Sequence, residues 1–192
     1  MIDGANKLAE VCRAVEQADR DRAVSLLTQD YPFIPLENIG RHYTALECMR
    51  VFIRDGFIDR YSGKRLIFPA TLRALSLLFP AQFPFHPNWK TDACHFAYYE
   101  LSPTIDHIVP VSRGGADARD NWVTTSMLTN AAKGNFLVEE LGWHILPPGN
   151  LEEWDGLTKW FFRQDELANF RTKSSSVRNW AEAARKAFAE VG

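Results

Sequence analysis

PTIDHIVPVSRGG, Pro103 to Gly115, sets an acid and a histidine side by side, Asp106 and His107. Around them lie Ile105, Ile108, Val109 and Val111. A buried strand accommodates neither polar group, because desolvating a charge or an imidazole costs free energy unless it is paired. The pair is therefore either a small structural hydrogen bond or the edge of a site. Upstream, the aromatics from Cys94 to Leu101 predict a strand, and Ser102-Pro103 turns the chain into a second one, Thr104 to Val109. Pro110 and Gly114-Gly115 open a loop. Asn121 to Thr124 reads as a short strand, and Ser126 caps a helix that ends near Gly134. The local plan is strand, loop, strand, helix.

Helical patterns surround this unit. Leu8, Val11, Cys12 and Val15 predict an amphipathic helix over 6–28, broken by the prolines after Tyr31 and by Gly40. Thr44 and Glu47 form a capping-box pattern ahead of Met49, Phe52 and Ile53, with the helix ending near Asp55-Gly56. Thr71 to Phe79 reads as a helix stopped by Pro80. Further helices are predicted over 157–171 and 176–190, the last with Val177, Trp180, Ala181, Ala184 and Phe188 on one face. These patterns divide the chain into an N-terminal helix and Pro-rich loop (1–43), a central core (44–146) and a C-terminal helical extension (147–192), packed as one compact domain.

The composition, 46% hydrophobic and 24% charged in 192 residues, is that of an ordinary globular chain. No signal peptide or membrane-length apolar run is apparent. Three scattered cysteines without C-x-x-C spacing point to a reducing, cytoplasmic setting. The net charge of −2 gives no global sign of nucleic-acid affinity. Locally, 41–73 carries seven Lys/Arg against three Asp/Glu, and 157–192 seven against four. These are either solvated helix faces or two basic stretches flanking a phosphate site.

The polar residues downstream suggest a chemistry. Asn121 begins the second strand, Asn130 lies in the short helix, and Lys133 shares its face one turn later. Asp106 and Asn130 offer a carboxylate and an amide oxygen, a sparse oxygen set that suits Mg²⁺. His107 is placed to act as general base on a water, and Lys133 to add a positive charge on a phosphate. Arg113, beside Gly114-Gly115, is a second candidate for backbone phosphate. The chemistry is metal-assisted phosphodiester hydrolysis. Adjacent strand residues face opposite ways, so Asp106 and His107 serve one site only if the strand bends or ends there.

The run D-H-I-V-P-V-S-R-G-G-x-D-x-x-x-N-x-V-T, followed by N-x-x-K-G, resembles the HNH endonuclease family over residues 104–134. The resemblance implies an α+β protein, a ββα-metal core within a helical shell, that cleaves phosphodiesters in DNA. It makes His107 the general base, Asp106 and Asn130 metal ligands, and Asn121 the brace of the loop that presents His107. Where some members have a third-motif His, Asn130 stands here, as in HNH domains of CRISPR effectors that use Mg²⁺. Mn²⁺ is expected to substitute. Upstream, Arg54 to Gly63 is similar to a segment that reads R-D-x-x-x-C-x-x-C-G in many members, with Asp59 and Ser62 at the cysteine positions. A structural zinc is therefore not expected, and aromatic packing is expected to hold that hairpin. The rival functions are an RNA-cleaving nuclease and a catalytically inactive nucleic-acid-binding protein of the same fold. The partner is nucleic acid, with no membrane association; neither target nor oligomeric state is legible.

Overall fold

The computed structural model describes residues 4–33 and 42–191. The chain divides into two compact units, 1–41 and 42–192. The first is a pair of helices, α1 (Gly4–Glu16) and α2 (Arg20–Gln29), which pack on each other and bury Ala14 and Ala23. One helix over 6–28 was expected. The chain breaks instead at Ala18, whose φ is 56°, and Asp19 restarts it by accepting from Arg22 N at 3.0 Å. An aspartate caps a new helix more readily than it continues an old one. The break predicted at Gly40, with Ile34 and Pro35, lies outside the described residues.

The second unit begins with α3 (Ala45–Arg54), started by the expected box: Glu47 N donates to Thr44 Oγ1, and Thr44 N to Glu47 Oε2. Next comes α4 (Pro69–Leu78), with proline at its first position, where its missing N–H costs nothing. The strand expected over 94–101 is instead a short helix, α5 (Ala97–Leu101). Its aromatics form a local cluster rather than an alternating face. Tyr98 packs against Phe83, Phe85 and Trp89 and donates its hydroxyl to Leu72 O at 2.9 Å.

The centre is a hairpin of β1 (Pro103–His107) and β2 (Trp122–Ser126), antiparallel, with Pro103 opposite Ser126 and His107 opposite Trp122. Ser126 caps α6 (Met127–Lys133) by accepting from Thr129 N at 3.0 Å, and α6 packs back on both strands. The chain continues into α7 (Thr158–Ala168), α8 (Phe170–Lys173) and α9 (Ser175–Ala189). The helix expected over 157–171 is broken at Asn169, which is left-handed at φ 52°. The α9 face of Val177, Ala181 and Ala184 is fully buried against α3 and α4, and Trp180 stacks on Phe52. Small alanines let the helices approach, so this unit is mostly helical around one β-hairpin and its helix.

Two carboxylates, both fully buried, hold the turn after α3 to the outer edge of β2. Asp55 Oδ2 accepts from Thr124 N at 2.7 Å, and Asp59 Oδ2 from Ser126 N at 3.0 Å. Arg60 N completes the edge by donating to Thr124 O. Asp59 Oδ1 also takes Tyr61 N and Ser62 N. The segment similar to a zinc knuckle is thus organised largely by one acid, not by aromatic packing alone. Burial would raise the Asp59 pKa, but hydrogen bonds from Ser126, Thr129, Tyr61 and Ser62 outweigh it and hold the group below its usual value.

Candidate active site

Asp106 and His107 close β1, where the strand ends. They keep the strand alternation, so their side chains meet separate partners. Asp106 Oδ2 accepts the Tyr61 hydroxyl at 2.7 Å and lies 2.9 Å from Lys133 Nζ. Burial and then the charge on Asp106 raise the Tyr61 phenol well above its usual range, so it stays a donor. Lys133 is fully buried, and its ammonium also donates to His107 O at 2.8 Å. From sequence it was expected to add a positive charge on a phosphate. It instead neutralises Asp106 and ties down the end of β1, as a buried charge requires.

His107 is 5% exposed and sits under Trp122, its cross-strand neighbour. Its Nε2 lies 2.8 Å from Asp117 Oδ1, 3.2 Å from Trp122 Nε1 and 3.3 Å from the Tyr43 hydroxyl. Asp117 Oδ1 also accepts from Tyr43 at 2.7 Å and from Trp122 Nε1 at 2.9 Å. Partial burial works against this carboxylate, yet the bonds from Tyr43, His107 and Trp122 keep its pKa below the usual value. Among the described residues no hydrogen bond reaches His107 Nδ1, and none joins the imidazole to Asp106 or Asn130.

The connecting loop is built around Asn121. Its Oδ1 accepts from Val109 N at 2.9 Å, while Nδ2 donates to Val109 O and Ala116 O. Gly115 makes this closure possible, since a Cβ there would lie 1.9 Å from Val109 O. Asn130, half-buried on α6, points its Nδ2 toward Ile105 O at a long 3.5 Å. Arg113 pairs with Glu140 at 2.9 Å rather than standing unpaired. His95 and Tyr98, which lie just ahead of β1, both pack with Phe83.

Asp117, Tyr43, Tyr61 and Trp122 were not assigned to the site from sequence. Asp117 carried a signal, because it stands within the G-G-x-D-x-x-x-N run, ten residues after His107. Tyr43 and Tyr61 carried none, as they arrive from distant segments.

The donor set fits a hard divalent cation. Both donors to Asp106 use Oδ2, leaving its Oδ1 without a hydrogen bond among the described residues, and the same holds for the side-chain oxygen Oδ1 of Asn130. A carboxylate and an amide oxygen suit Mg²⁺, which keeps most of its waters. No group of three or more His, Cys, Asp or Glu gathers to hold a metal among the described residues.

A two-stranded hairpin and helix, with Asp-His at the end of the first strand and Asn on the helix, is the architecture of a ββα nuclease unit. Residues 99–138 match the HNH endonuclease family, and this segment of the chain is an HNH endonuclease domain. Neither the curated proteins nor the solved structures give a match to the chain.

Proposed function

We propose that the protein is a metal-dependent endonuclease that hydrolyses phosphodiester bonds, with DNA its preferred substrate. The observation that carries this reading is the terminal Asp106-His107 pair of β1, buried and separately braced within the HNH domain. Asp106 and Asn130 would hold Mg²⁺, or Mn²⁺ in its place, through their side-chain Oδ1 atoms. Bound there, the cation would neutralise charge on the phosphate and on the leaving oxygen. His107 accepts the proton of the attacking water. Asn121 holds the loop behind His107 in one conformation. Lys133 balances Asp106 and fixes the backbone carbonyl of His107, so its part is to shape the site rather than to bind nucleic acid. Arg113, 43% exposed beyond its pairing with Glu140, is the contact to backbone phosphate. Three free cysteines fit action in the reducing cytoplasm.

One observation favours the rival of an inactive fold: the Lys133 ammonium already satisfies one oxygen of Asp106. Supercoiled plasmid and a single-stranded RNA, each incubated with Mg²⁺, Mn²⁺ or EDTA, separate the readings. Nicked or linear plasmid with either cation and none in EDTA is expected. His107→Ala should lose roughly 10²–10⁴ in rate while keeping its fold, and Asp106→Ala and Asn130→Ala should each fail at saturating DNA. Cleavage that persists in EDTA, or that His107→Ala retains within a few-fold, would overturn the mechanism. Absence of cleavage of either substrate would leave the binding-protein reading.

A further inference from the structure

We infer that Asp117 is a positioning residue that selects the tautomer of His107, holding the proton on Nε2 and leaving Nδ1 as the nitrogen that receives the proton of the attacking water. This deepens the nuclease reading, and its catalytic consequence rests on that reading.

Counting donors assigns the proton. Asp117 Oδ1 and His107 Nε2 stand 2.8 Å apart, a distance that requires a proton between them. Asp117 cannot supply it, because its Oδ1 already receives the Tyr43 hydroxyl at 2.7 Å and the Trp122 indole N–H at 2.9 Å, as an ionised carboxylate does. The proton is therefore on Nε2. A neutral imidazole carries one N–H, so Nδ1 bears the lone pair, and no hydrogen bond reaches it among the described residues. The opposite tautomer would set the Nε2 lone pair against the carboxylate at the same distance.

Loss of the carboxylate would reverse this arrangement. The Trp122 N–H lies 3.2 Å and the Tyr43 hydroxyl 3.3 Å from Nε2. With Asp117 present their better acceptor is its oxygen. With Asp117 removed the Trp122 N–H keeps Nε2 as its acceptor, and a nitrogen that accepts carries no proton. The imidazole then moves its proton to Nδ1, where the base is needed. Asp117 thus acts through His107 and touches neither substrate nor the reacting atoms. Its second effect is to stabilise the imidazolium formed when His107 takes a proton.

The test is nitrogen-15 NMR of histidine-labelled protein at a pH where His107 is neutral, combined with plasmid cleavage in Mg²⁺. The parent should show protonated Nε2 and unprotonated Nδ1 at His107. Asp117→Ala should show the reverse, with kcat lower by roughly 10²-fold and KM within a few-fold. Asp117→Glu, which keeps a carboxylate, should restore the parent tautomer and part of the rate. A parent with the proton on Nδ1 would overturn the inference, whatever any variant does or fails to do. So would Asp117→Ala with unchanged tautomer, or with kcat close to the parent's. If the parent cuts nothing, the nuclease reading fails, while the tautomer measurement still decides the role of Asp117.

Discussion

Lys133 shows how a residue changes meaning when its surroundings are known. Its spacing after Asn130 put it on a helix face, and a helix-face lysine is most often solvated. Nothing local says that this face covers the end of a strand with an aspartate on it. Buried fully, with Asp106 at 2.9 Å, it forms an ion pair that is expensive to break from one side. Lys133→Met should destabilise the protein by roughly 3–5 kcal/mol, because an uncompensated carboxylate stays behind. The double variant Lys133→Met/Asp106→Asn should recover much of that loss, since the charge leaves with its partner. Urea unfolding of the parent, the two single variants and the double variant measures this coupling. Additive losses would show that Lys133 holds the fold through the carbonyl of His107 alone. Asp106 and His107 were conspicuous because their types are improbable inside an apolar run. Tyr61 and Tyr43 were not, because a tyrosine is at home in any aromatic-rich core.

Elements defined by their own ends were the legible ones. The Thr44–Glu47 box and the Ser126 cap act within four residues, so the sequence carries the whole interaction. The outer edge of β2 is different. Its N–H groups are met by Asp55 and Asp59 from almost seventy residues away, and no pattern announces that an acid will close a sheet edge. The strand misread over 94–101 has the same origin, since bulky aromatics fit a short helix as well as a pleat when they pack on each other. The acid-closed edge has a pH signature. The folded pKa of Asp59 lies below its ordinary value, so the group adds stability above about pH 4 and loses it as pH falls through the folded value. The melting temperature of the parent should therefore drop as pH falls below the ordinary carboxylate range. Asp59→Asn should melt lower near neutral pH and show a shallower acid slope, and parallel profiles for the two proteins would contradict the assignment. Gly115→Ala tests the site loop in the same spirit. A Cβ 1.9 Å from Val109 O cannot be accommodated without opening the loop, so activity should fall further than global stability.

At the scale of the whole molecule, the basic stretches raised the question of a phosphate surface, and the structure engages most of the charge of the first, 41–73, in internal contacts. Arg54 and Arg60 serve Asp55, Arg50 pairs with Glu190, Lys64 with Glu100, and Arg65 and Arg73 lie over the rings of Trp154 and Phe85. Local charge is legible in a sequence, but its pairing depends on which segments meet. No helix among the described residues is long and apolar enough to cross a membrane. The partition of the chain obeys the same logic of contact. The hairpin and α6 of the HNH domain do not make a core of their own, since Ile105 and Trp122 belong to the cluster formed by α3, α7 and α9. The C-terminal helix is therefore part of the body that carries the HNH domain, whereas 1–41 forms its own compact unit. Two truncations test this partition. Residues 42–192 alone should fold cooperatively and keep the metal-dependent cleavage proposed for the full chain. A chain ending at Ser174 loses Val177, Ala181, Ala184 and Ala187 from the face of α3, opening a void beside Phe52 and Ile53. It should lose near-ultraviolet dichroism and cooperative unfolding together. A chain ending at Ser174 that melts like the parent would show that the hairpin carries its own stability and that α9 is an accessory, and failure of 42–192 to fold would join the two units into one.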